Sequence, residues 1–339
     1  MDHENQAGTS PYSVLVTNLG TPEKPERRDV ARFLRQFLSD PRVIDLPRWL
    51  WLPLLNLVII PLRAARSAAA YRTIWWDDGS PLLILTQGLS DKLARKMDST
   101  CSVVTAMRYG KPSIQSGLSE LKQAGANKLV VLPLFPQFSY TTTASVHDAV
   151  DVALTKLDWA PEVKCIDDYH LHPAWVDAVA NSIRRFRQEK GVGELLMFSL
   201  HGIPQRYVRN GDPYEQQCKD GVAAIARSAG LNDDEWMLTF QSRVGREPWL
   251  MPYTDLTLQE LAGKGVRHVQ VICPGFAVDC LETLEEIAIQ NFELFEEAGG
   301  EKLDYIPCLN DSEEHAQVLQ QIIEEQLQDD GIPKARADV

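Results

Sequence analysis

Eight short apolar runs, alternating with longer segments of helical periodicity, constrain this chain more than any other feature. The runs lie at residues 12–17, 102–107, 129–134, 163–166, 195–200, 237–240, 269–272 and 303–306. Segments such as 113–123, 175–189, 214–229 and 255–262 lie between them and repeat their apolar positions with helical spacing. Strands joined through helices run parallel, and a parallel sheet covered on both faces reads as continuous apolar runs. The expected fold class is therefore α/β, with parallel sheets flanked by helices.

The same plan is used twice. Val16-Thr17-Asn18-Leu19-Gly20-Thr21-Pro22 resembles Phe198-Ser199-Leu200-His201-Gly202-Ile203-Pro204. Met107-Arg108-Tyr109-Gly110-Lys111-Pro112 echoes the stretch from Ser242 to Pro248, and residues 124–138 match 263–279 in strand, proline and phenylalanine. Three matches in one order predict two similar halves facing a cleft between the ends of their sheets, a favoured place for a ligand. We expect residues 1–170 to form the first domain, with an apolar insertion at about 40–80, and residues 171–311 the second. The last helix, 312–328, is expected to pack back on the first half.

The chain has 339 residues and a net charge of −13, which argues against non-specific nucleic-acid binding. Its six cysteines form no CxxC pair and no zinc-like spacing, so a reducing, cytoplasmic setting is expected. The stretch MDHENQAGTSPY has no basic n-region and no apolar h-region, unlike a secretory signal. Residues 49–62, WLWLPLLNLVIIPL, read as too short to span a bilayer and as interrupted by Pro53, Asn56 and Pro61. They are either a partly buried core helix or an exposed apolar lip that receives a hydrophobic ligand or dips into a membrane surface.

The chemistry concentrates at two strand ends. His201 closes an apolar strand and precedes Gly202, which removes bulk beside the imidazole. In the second loop, Asp279 has the place of a helix N-cap and Glu282 that of a capping-box partner. Glu282, Glu286 and Glu293 also recur near one helical face. A histidine facing carboxylates across a cleft suits transient binding of a divalent metal or proton movement near neutral pH. Trp249, Phe135, Phe138, Tyr140, Tyr71, Trp75 and Trp76 offer walls for a flat apolar ligand, and Arg108, Ser139, Thr141 and Thr142 are candidates for its anionic groups. There is no GxGxxG, Walker loop, nucleophile elbow or HExxH.

These residues resemble the ferrochelatase family. S-x-H-G-x-P followed by G-D-P-Y, from Ser199 to Tyr214, is similar to that family's signature, and Asp279 to Glu286 to its D-x-x-E-T-L-x-E element. The blocks Asn18-Leu19-Gly20-Thr21-Pro22, Gln241-Ser242-Arg243-Val244-Gly245 with Pro248-Trp249-Leu250, and Pro136-Gln137-Phe138-Ser139 follow in the family's order. The resemblance implies two Rossmann-like, chelatase-type domains around a porphyrin cleft, and insertion of Fe²⁺ into protoporphyrin IX to give protohaem. By the family pattern His201 and Glu282 are catalytic and, with Glu286 and Asp279, metal-binding. Leu19, Arg108, Tyr109, Ser139, Thr141 and Trp249 become substrate contacts. The resemblance also favours the membrane-facing reading of the lip, at the inner face of the membrane, on a monomer that binds no nucleic acid. No permanent cofactor is implied, since Fe²⁺ is a substrate. Tyr140 stands where cluster-binding relatives have cysteine, so no iron–sulfur cluster is expected. Gln290 replaces a carboxylate of the family's acidic line, and Cys280 a frequent histidine. Two alternatives are the same chemistry on another tetrapyrrole, such as coproporphyrin or sirohydrochlorin, or with another metal, and a carrier that binds a tetrapyrrole or metal without turnover.

Overall fold

The computed structural model describes residues 12–245 and 247–328, so the N-terminal stretch read for a secretory signal lies, up to its final Tyr12, outside the described residues. The chain forms two four-stranded parallel sheets of the same strand order. The first contains β1 (Ser13–Gly20), β2 (Val103–Tyr109), β3 (Lys128–Pro133) and β4 (Glu162–Cys165), arranged β2-β1-β3-β4. The second contains β5 (Leu195–His201), β6 (Trp236–Gln241), β7 (His268–Ile272) and β8 (Lys302–Ile306), arranged β6-β5-β7-β8. All eight coincide with the apolar runs of the sequence, within a few residues at the ends.

Alternate residues of each strand serve different cores, as a period of two requires. Val14 and Val16 of β1, and Leu196, Phe198 and Leu200 of β5, point into one large core that both halves share. Leu15 joins a second core with Leu118, Leu121 and Val150, while Met197 joins a third with Leu258, Ile287 and Phe295. The shared core also takes residues from helices Pro81–Lys96, Pro173–Lys190, Tyr214–Ala229 and Glu313–Gln328. The last of these packs against Pro81–Lys96, where Gln320 Nε2 donates to the Lys96 carbonyl at 3.0 Å.

The repeat aligns the two halves with one correction. Met107 N–H donates to the Pro112 carbonyl and Phe240 N–H to the Pro252 carbonyl, so Pro252, not Pro248, is the counterpart of Pro112. The second-half loop is therefore longer, and the extra length carries Trp249.

The insertion also differs from expectation. Helix continues from Arg48 to Ile74, 27 residues, through Pro53 and Pro61. Proline lacks an N–H and clashes with the carbonyl four residues back. Over Leu55–Ile59 the winding widens to i→i+5, which relieves that register just before Pro61. The helix is long and apolar enough to cross a membrane by length and composition only, yet Leu55, Ile60 and Ala64 are buried against the first half, and Ala68 and Tyr71 in a cluster that also takes in Leu281 of the second. Its other side presents Trp49, Leu57 and Leu62, which are 79%, 77% and 73% exposed. The segment is thus an exposed apolar lip on a partly buried helix.

Candidate active site

β1 and β5 occupy equivalent central places in their sheets, and each ends in a loop that needs glycine. Gly20 has φ +112°, and a Cβ there would lie 1.7 Å from the Tyr109 carbonyl oxygen of the neighbouring strand. At Gly202 a Cβ would meet the Gln241 carbonyl at 3.1 Å and the Trp249 ring at 3.3 Å. The missing side chain lets Trp249 close on the strand end, where its ring centroid is 6.3 Å from that of His201.

His201 is half-buried and its Nδ1 lies 2.6 Å from the Gly202 carbonyl oxygen. A carbonyl only accepts, so Nδ1 carries the hydrogen and, in the neutral ring, Nε2 carries the lone pair. Burial pushes the imidazole below its ordinary pKa; the nearby Glu282 carboxylate and the Gly202 bond oppose that shift without overcoming it. The ring is therefore neutral at neutral pH and can accept a proton or a metal through Nε2.

The acidic residues stand on a helix wound i→i+5 over Glu282–Asn291, which continues as α-helix over Phe292–Glu297. Such windings are rare and recur at functional sites. Neither half of the expected capping box forms, because Asp279 N–H donates to Asn310 Oδ1 and the Asp279 carboxylate accepts from side chains. Glu286 receives Ser242 N–H on Oε1 at 2.7 Å and Ser242 Oγ–H on Oε2 at 2.5 Å, with Gln241 Nε2 at 3.4 Å. Burial raises its carboxyl to about 7 despite the Ser242 bonds, and the Glu282 charge adds to the rise. Gln241 also donates to the Glu282 carbonyl at 2.7 Å and accepts from Ser199 Oγ–H at 2.7 Å, tying β5 and β6 to the acidic helix.

Sequence reasoning passed over Ser242 and Gln241, although they end the strand beside that of His201. It named Tyr71 only among the aromatic walls for a ligand. Tyr71 is buried beside Leu281, and its hydroxyl is pushed well up by burial first and then by the charge of Glu282.

Other candidates hold tertiary bonds of their own. Asp279 is buried, and its oxygens accept from Tyr305 OH at 2.5 Å, Asn310 Nδ2 at 2.7 Å and Thr283 Oγ1 at 3.1 Å. That set clasps the helix to the end of β8. Arg108 Nη2 and Ser145 Oγ–H reach Asp40 Oδ2, as does Tyr109 OH at 2.7 Å. Ser139 Oγ–H donates to Asp212 Oδ2 at 2.8 Å and lies 2.9 Å from Thr141 Oγ1, joining the first half to the Gly211-Asp212-Pro213 turn. Leu19, half-buried, closes β1 with its N–H on Asn18 Oδ1 at 2.7 Å. Glu293 is exposed. Exposed Gln290 donates to both Glu285 oxygens at 2.7 Å. Among the described residues no three or more of His, Cys, Asp and Glu converge as a metal cage.

Known proteins share both the sequence and the architecture. A model of the ferrochelatase family matches residues 12–327. A ferrochelatase of Methylococcus capsulatus is 52% identical over 314 residues, 93% of this chain and 96% of the relative. One of Hydrogenovibrio crunogenus is 48% identical over 339 residues, 96% and 90% respectively. Among solved structures, SirB from Bacillus subtilis with Fe³⁺ superposes with a TM-score of 0.54 at 12% identity, over 94% of this chain and 97% of that one, a likeness of fold alone. With identity near one half over almost its whole length, the chain belongs to the ferrochelatase family.

Proposed function

We propose that His201 and Glu282 carry the reaction of this family on this chain, the insertion of ferrous iron into protoporphyrin IX to give protohaem. The observation that bears the reading is a partly enclosed imidazole whose Nδ1 is held by the Gly202 carbonyl and whose strand is tied through Gln241 to Glu282 of the acidic helix. Metallation must remove two pyrrole protons and strip water from the iron. Neutral His201 accepts a proton at Nε2, and Glu282 offers a carboxylate to iron or to that proton. Glu286, with both oxygens already bonded and its carboxyl raised to about 7, is suited to passing protons near neutral pH rather than to holding metal. Trp249 beside His201 supplies an apolar wall against the flat ring, and a tight wall helps bend it toward the metal.

The family's substrates, a porphyrin and ferrous iron, are those of this chain. Preference for protoporphyrin over coproporphyrin is supported by the apolar lip, since further carboxylates against it cost desolvation. The exposed Trp49, Leu57 and Leu62 support seating on a membrane surface, and six cysteines that form no disulfide among the described residues suit a reducing cytoplasm. Anaerobic incubation with Fe²⁺ and either protoporphyrin IX or coproporphyrin III, followed by loss of porphyrin fluorescence, tests the reading. Faster metallation of protoporphyrin is expected. Faster metallation of coproporphyrin would change the substrate, and binding of both without turnover would leave a carrier.

A further inference from the structure

The short helix Gln205–Arg209, which follows His201, touches two segments far from it in sequence. One is the root of the lip. Tyr207 OH donates to the Val43 carbonyl at 2.9 Å, and Arg206 Nη1 lies 3.2 Å from Asp45 Oδ2. The other is the loop that carries Trp249. Arg206 Nε lies 2.5 Å from Glu247 Oε1, Gln205 N–H donates to the Pro248 carbonyl at 3.0 Å, and Gln205 Nε2 to the Trp249 carbonyl at 3.1 Å.

That loop needs a tether. It turns through two left-handed residues, Ser242 at φ +66° and Gly245 at φ +79°, and Val244 within it is exposed. Trp249 Nε1 is buried with no hydrogen-bond partner among the described residues, so the ring is placed by its backbone and packing alone. A guanidinium has donors enough to hold two carboxylates at once in a fixed plane, which an ammonium does not match. The Arg206 plane lies over the Tyr207 ring, 4.6 Å from its centroid.

We propose that Arg206 is a positioning residue for the porphyrin: by bridging Asp45 and Glu247 it ties the Trp249 loop to the root of the lip and sets the aperture through which the macrocycle meets His201. The proposal rests on the metallation reading for its substrate, but its test does not need turnover. Protoporphyrin binding is titrated by quenching of tryptophan fluorescence, and KM for each substrate is measured alongside. The proteins are wild type, Arg206→Ala, Arg206→Lys, Glu247→Gln and the double variant Arg206→Ala with Glu247→Gln. Loss of two partly exposed bridges is expected to raise Kd and KM for protoporphyrin about three- to tenfold. KM for ferrous iron and kcat are expected to stay within about twofold, since the groups that meet iron are untouched. The double variant is expected to bind no worse than Arg206→Ala, because Glu247→Gln removes a bridge that Arg206→Ala has already broken, and Arg206→Lys to recover part of the loss. Unchanged porphyrin binding in folded Arg206→Ala would overturn the proposal. So would additive losses in the double variant, which would make Arg206 a direct porphyrin contact. An inactive wild-type enzyme would count against the metallation reading, while the binding titration would still decide the role of Arg206.

Discussion

Ser242 grips Glu286 with both of its donors, the backbone N–H at 2.7 Å and the hydroxyl at 2.5 Å, from a left-handed backbone that few residues other than glycine adopt. The grip lowers the Glu286 carboxyl, yet burial prevails and holds it at about 7. A folded-state value above the ordinary 4.5 means that the folded protein keeps this proton more tightly than the unfolded chain. The associated stability is full below about 4.5 and is lost as the pH rises through about 7. Glu286→Gln is therefore expected to gain on wild type between pH about 5 and about 8, by on the order of 2 kcal/mol. Denaturant titrations at each pH check this, and parallel pH dependence of the two proteins would contradict it.

The two strand-end glycines should fail differently. Gly20→Ala forces a left-handed φ and a Cβ 1.7 Å from backbone oxygen, so a loss of stability of about 3 kcal/mol or more is expected. At Gly202 the nearest contacts are 3.1 and 3.3 Å, and the Trp249 ring can give way. Gly202→Ala is expected to stay folded with its melting temperature lowered by only a few degrees, but to bind protoporphyrin less tightly because Trp249 has moved. Thermal melts with a binding titration separate the two, and equal loss of stability would count against this account.

Asp279 and Glu282 are three residues apart, and their substitution is expected to read out differently. Asp279→Asn disturbs a buried carboxylate that accepts from Tyr305, Asn310 and Thr283, so it is expected to cost about 1–3 kcal/mol of stability. Glu282→Gln is expected to leave stability and porphyrin binding nearly intact while lowering kcat by about a hundredfold or more. Unchanged turnover in Glu282→Gln would remove it from the chemistry.

The strands were legible because each is an apolar run covered on both faces, and the glycine at Gly20 and Gly202 marked where they end. The helix through Pro53 and Pro61 was not, since proline argues locally against helix and only the widened turn at Leu55–Ile59 reconciles them. His201, Glu282 and Trp249 stood out by type and position. The partners of Arg108 and Ser139 did not, because Asp40 and Asp212 lie far away in the chain and meet them only through tertiary packing. The acidic helix illustrates the same limit: its spacing placed Glu282 and Glu286 together, but only the fold shows that Ser242 has already claimed Glu286.

The lip can be altered without touching the core. Trp49, Leu57 and Leu62 are 79%, 77% and 73% exposed, so changing all three to serine is expected to shift stability by less than about 1 kcal/mol. Co-sedimentation with anionic phospholipid vesicles is expected to fall severalfold, because membrane-surface binding scales with buried apolar area. Equal sedimentation of the variant would argue that this face does not meet a membrane.

The measurement closest to the central claim is anaerobic metallation by wild type and His201→Ala, with Fe²⁺ and protoporphyrin IX, alongside porphyrin binding. His201→Ala is expected to fold, to bind protoporphyrin within about threefold of wild type, and to lose turnover by about a thousandfold or more, since the lone pair at Nε2 is gone. Turnover near wild type in that variant would contradict the assignment of His201 as the proton-accepting centre.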